Sequence, residues 1–162
     1  ASGARWEEID RDESVWTIPA ERMKKRKEHR IPLTEHMLEL LEVMQPISGH
    51  REFIFPSDRD PKKPCNSQTA NMALKRMGFA GRLVSHGLRS LASTTLNEQG
   101  FDRDIIEAAL AHVDDNQVRS AYNRTDYLER RRPMMCWWSR HIEEASKGNL
   151  SITGSLSLKA VI

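Results

Sequence analysis

At 162 residues the chain is long enough for one domain with a sizeable core and short for two. Hydrophobic residues make up 38% and charged residues 30%, and no apolar run approaches the ~20 residues of a membrane-spanning helix, so the composition points to a soluble, intracellular protein without a leader peptide. The net charge of +2 leaves a nucleic-acid partner undecided until its distribution is considered.

The chain opens on two predicted strands. Trp6 and Ile9 precede the polar turn DRDES, and the β-formers Val15, Trp16, Thr17 and Ile18 follow it. The next segment, ERMKKRKEHR at residues 21–30, holds Arg22, Lys24, Lys25, Arg26, Lys27 and Arg30 against Glu21 and Glu28, a local excess of +4. Such a patch suits a phosphate backbone, although a solvated loop has the same composition. A third strand over His29–Leu33 completes a small antiparallel sheet whose second turn carries Lys24 to Lys27.

The period then changes. Met37, Leu38, Leu40, Leu41 and Met44 repeat at helical spacing behind Thr34, a good N-cap, and Pro46 is expected to end the helix. Phe53, Ile54 and Phe55 form a short buried segment, and DRDPKKP after it reads as a loop. Ala70, Ala73, Leu74 and Met77 form one apolar stripe closed by Gly78. Ser85 can cap a helix reaching about Gln99, with Gly100 as terminator.

A further helix fits Asp104–His112, the polar residues 114–116 break the chain before Tyr122, and a last helix covers Tyr127 to about Ala145 with a kink expected at Pro133. From Leu150 the apolar residues alternate with polar ones, which predicts a tail strand behind a hinge at Lys147–Asn149. The expected class is therefore α+β, mainly helical, with a small three-stranded antiparallel sheet at its start and a strand in its tail. Cys65 and Cys136 are far apart and lack metal-ligand spacing, so no metal site is expected and both should be plain thiols.

The chemistry concentrates in SHGLR, LAH and RSAYNR. His86 and Arg89 are three apart and share a face at a helix start, where the dipole favours an anion. Arg89 offers a planar fork for two phosphate oxygens, and His86 can donate to phosphate or exchange a proton. His112 precedes Tyr122 by ten residues, close enough in the chain for both to fold back beside them.

Taken together, ARWEEID, VSHGLRSLASTTLNEQG, IIEAALAH, AYNR and YLERRRPMM resemble the catalytic domain of the tyrosine recombinases, and specifically of phage and prophage integrases. The resemblance covers residues 1–146 and implies a catalytic domain there, with residues 147–162 as a tail packing in cis or on a neighbouring protomer. It implies that Tyr122 is the nucleophile, His86 and Arg89 the HxxR box, His112 the second active-site histidine, and Lys24 the lysine of the hairpin turn, with Lys25 as its substitute. Lys25, Arg26, Lys27, Arg119 and Arg124 would contact DNA. Family members carry one more arginine in a helix upstream of the segment matching ARWEEID. The chain begins at Ala1-Ser2-Gly3, after that point, and Arg5 does not take its place, so feeble or absent cleavage is expected of this segment alone.

The implied activity is site-specific recombination of phage or mobile-element DNA through a 3′-phosphotyrosyl link. No metal or nucleotide cofactor is called for, since the covalent link conserves the phosphodiester's energy. The implied partners are double-stranded attachment-site DNA, sister protomers in a tetramer on that DNA, and accessory DNA-bending or excision proteins, all in the bacterial cytoplasm at the nucleoid and away from membranes. Three other readings use the same residues. A non-catalytic helix-turn-helix module could occupy residues 102–124, a type IB topoisomerase would share the chemistry, and an inactive prophage remnant would only assemble.

Overall fold

The computed structural model describes residues 2–111 and 126–148, which form an α+β fold with a three-stranded sheet and a helical majority. The chain divides into two compact units, Ala1–Arg89 and Ser90–Ile162.

In the first unit, β1 (Ile9–Asp10), β2 (Val15–Ile18) and β3 (His29–Pro32) make an antiparallel sheet in that order. Ile9 faces Trp16, and Trp16 in turn faces Ile31, so β-branched and aromatic side chains meet across the strands. Trp6, expected in the first strand, instead lies in a 3-10 turn over Trp6–Glu8. That turn is closed by Glu8, whose amide donates to the Arg5 carbonyl at 3.2 Å and whose carboxylate accepts from the Arg5 amide at 3.1 Å.

Helix α1 (Glu35–Ser48) starts where Thr34 accepts from the Met37 amide, a cap whose own side chain is buried. Met37, Leu38, Leu41 and Met44 are half-buried, whereas Leu40 faces outward with Val43 and Ile47. Pro46 does not end this helix, which runs on to Ser48. A proline there sacrifices one backbone hydrogen bond, and tertiary bonds hold the final turn in its place. The Ser48 hydroxyl donates to the Ile54 carbonyl at 2.7 Å and the Ser48 carbonyl accepts from the Trp6 indole at 2.9 Å, while the helix's own bond from the Gly49 amide to the Gln45 carbonyl closes the last turn. Phe53 and Ile54 are buried with Ala4, Val15 and Leu33, while Phe55 of the same predicted segment is exposed.

The DRDPKKP stretch is irregular, as its prolines require. Helix α2 (Thr69–Leu74) passes into one π-helical turn over Lys75–Phe79, broken by Gly78 at φ +89°. The stripe expected here is not a buried face, because Ala70, Ala73 and Met77 are all exposed. Helix α3 (Ser85–Glu98) then begins in the first unit and ends in the second.

The second unit is helical in its described part. Leu96 of α3, Ile105 and Ile106 of α4 (Arg103–Ala109) and Met134 of α5 (Leu128–Ser146) form its buried core, with Phe101, Trp137 and Trp138 packed around it. Gly100, at φ +77°, turns the chain between α3 and α4 as expected of a helix terminator. Helix α5 continues through Pro133 without a break, anchored on either side of the proline by the buried Arg131 and Met134. Ile106 is fully excluded from solvent. Ile106→Ala should therefore cost about 2–5 kcal/mol, the range for emptying a well-packed site. Urea unfolding followed by tryptophan fluorescence measures it, and a cost below about 1 kcal/mol would mean that the core collapses into the space.

Candidate active site

The turn that carries the predicted lysine is a backbone construction. After a 3-10 turn over Ala20–Arg22, the Met23 amide donates to the Ala20 carbonyl at 3.1 Å, and the Arg26 amide closes the next turn onto the Met23 carbonyl at 2.9 Å. Lys24 and Lys25 occupy the two central positions of that second turn, and Arg26 follows in the left-handed region at φ 49°. Lys24, Lys25, Arg26 and Lys27 are all exposed.

Arg22 differs from the others in the patch. Its guanidinium forms an ion pair with Glu8, a residue only 8% exposed, so at least one of the six cations counted from the sequence is already neutralised. Burial raises the Glu8 pKa, but hydrogen bonds from Arg22, the Trp16 indole and the Arg5 amide outweigh it and hold the carboxyl below its ordinary range.

His86 and Arg89 lie in the first five residues of α3. The helix start is held by Asn71 of α2, whose side-chain oxygen accepts from the Ser85 amide at 2.8 Å. His86 is exposed and Arg89 half-buried. A methyl group at Gly87 would meet only Leu83 and Val84 at 3.8 Å, so the residue between them is not there for want of space. The HxxR pair therefore shares one helical face, and the lysine turn lies in the same compact unit.

His112, Arg119, Tyr122 and Arg124 lie outside the described residues, as do the predicted second helix-turn-helix element and the tail strand. The segment containing Tyr122 rejoins the described chain at Asp126. There the Asp126 carboxylate accepts from the Leu128 amide at 3.1 Å and stands 3.9 Å from the guanidinium of Arg131. Tyr127, at φ 50°, caps α5 with its ring beneath the Arg130 guanidinium, which is itself paired with Asp102. The other tyrosine of the chain is thus half-buried at a helix start, consistent with packing.

Among the described residues, no three His, Cys, Asp or Glu side chains converge as a metal site, and no helix is long and apolar enough to cross a membrane. Sequence reasoning passed over Asn71 and Glu8. No local pattern marks either one, since Asn71 acts 14 residues away on Ser85 and Glu8 acts 14 residues away on Arg22.

Residues 1–129 match the phage integrase family. The chain is 58% identical over 161 residues to prophage integrase IntA of Escherichia coli K12, an alignment covering 99% of the chain and 39% of that protein. It is 38% identical to the integrase of enterobacteria phage P4, over 86% of the chain and 36% of that protein. With the integrase of Shigella phage Sf6 the identity is 36%, over 86% of the chain and 37% of that protein. The chain thus spans well under half the length of these relatives. No solved structure matches it.

Proposed function

Because the chain belongs to the phage integrase family, we propose that it supplies most of the catalytic pocket of a site-specific DNA recombinase acting through Tyr122. The observation that carries the proposal is the placement of His86 and Arg89 on the first turns of α3, in the same compact unit as the turn presenting Lys24. A helix start combined with a guanidinium fork is suited to a phosphodiester.

In this reading the Tyr122 phenolic oxygen attacks the scissile phosphorus. A bond forms from that oxygen to phosphorus as the bond to the 5′ oxygen breaks, leaving a 3′-phosphotyrosine and a 5′-hydroxyl. His86 assists removal of the phenolic proton, Arg89 and His112 stabilise the charge on the pentacoordinate phosphorus, and Lys24 donates a proton to the departing 5′ oxygen. Attack by a 5′-hydroxyl from another strand reverses the step and exchanges partners. Lys25, Arg26, Lys27, Arg119 and Arg124 hold the flanking backbone. The working assembly is a tetramer on attachment-site DNA in the bacterial cytoplasm, joined by accessory DNA-bending or excision proteins.

The test is a nicked suicide substrate offered to the complete protein. An adduct stable to denaturant should form, and trypsin should leave the DNA on the peptide Ser120–Arg124 rather than on the neighbouring peptide that contains Tyr127. Sequence-specific duplex binding without any adduct would favour the helix-turn-helix module instead.

A further inference from the structure

The ion pair between Glu8 and Arg22 ties the base of the β1–β2 hairpin to the turn that carries Lys24. Glu8 is the more enclosed partner, its side chain 5% exposed against 27% for Arg22. Three donors converge on that carboxylate. One oxygen accepts from the Arg5 amide and the Trp16 indole, each at 3.1 Å, and the other receives the Arg22 guanidinium. The guanidinium also passes close to Gly3, where an added methyl group would stand 3.1 Å from a guanidinium nitrogen. Arg22 is therefore anchored at Glu8, immediately ahead of the residues that present Lys24.

Those residues are Met23 and the closed turn of Lys24, Lys25 and Arg26. Lys24 through Lys27 are exposed, so packing does not fix the position of their backbone. Its position is set by its two ends, where β3 pairs with β2 on one side and Arg22 meets Glu8 on the other. A partly buried ion pair is a weak source of net stability, because desolvation of the charges offsets their attraction, but it does hold two segments at one distance.

We infer that Glu8 and Arg22 are positioning residues for proton donation from Lys24 to the leaving 5′ oxygen, an inference that rests on the catalytic reading of Lys24. Such a donor must approach within hydrogen-bond reach of that oxygen, and a shift of about 1 Å can cost on the order of a hundredfold in rate.

A change of leaving group separates positioning from mere folding. A 5′-bridging phosphorothiolate departs as a thiolate, which needs no proton from a general acid. Arg22→Met and Glu8→Gln, in the complete protein, should each slow single-turnover cleavage of the natural ester by on the order of a hundredfold and return close to the unmodified rate on the phosphorothiolate. Equal losses on both substrates, or no loss on either, would overturn the inference. If either variant fails to fold, Arg22→Lys decides the question, because it keeps the charge but loses the fork; it should show the same selective defect, and its absence counts against us. Lys24→Ala on the same two substrates tests the premise. Without rescue of that variant the acid role of Lys24 falls, whereas rescue of Lys24→Ala alone leaves the lysine in place and removes only the roles of Glu8 and Arg22.

Discussion

Tyr122→Phe should abolish adduct formation on a suicide substrate while leaving affinity for the duplex unchanged. The substitution removes one phenolic oxygen and nothing else, and in the proposed mechanism that oxygen forms the new bond to phosphorus. Water offers no substitute product, since hydrolysis would leave no DNA attached to protein. Duplex affinity is expected to hold because it comes from cations meeting the phosphate backbone. Denaturing gels measure the adduct and gel retardation the affinity. Trapping by the phenylalanine variant at the unmodified level would end the assignment of Tyr122.

The second large effect is expected at Arg89. Arg89→Ala should lower single-turnover cleavage on the order of 100- to 1000-fold, the usual consequence of losing one donor aimed at transition-state charge. Arg89→Lys should recover little of it, because an ammonium presents a point charge where two phosphate oxygens require a fork. Arg89 is half-buried, so the lysine variant also controls for its packed stem. A variant that binds DNA more weakly yet cleaves at the normal rate once bound would make Arg89 a ground-state phosphate contact only.

The sheet was legible because its signals are local. Val15–Ile18 is dense in strand formers directly behind a short polar turn, and Thr34 marks the start of α1 through a cap only three residues long. Misreadings arose where distant bonds decide the outcome. Pro46 looks like a stop until Ser48 is seen tied to Ile54 and Trp6, and Trp6 looks like a strand residue until Glu8 folds the chain back on Arg5. The stripe from Ala70 to Met77 has helical spacing, but spacing alone does not say whether a face is covered. The same contrast holds at the site. The proposed roles of His86, Arg89 and the lysine turn are legible in short motifs, whereas the link from Glu8 to Arg22 exists only after the hairpin has formed.

That link also alters how the proposed complex should respond to ionic strength. Each cation that meets a phosphate releases condensed counterions from the duplex, steepening the fall of log K with log salt by about 0.9 per contact. Counting the basic segment from its letters would assign six such contacts, but Arg22 has already found its anion in Glu8. Thermodynamically the segment is at least one charge poorer than its sequence, and its salt sensitivity should be correspondingly shallower.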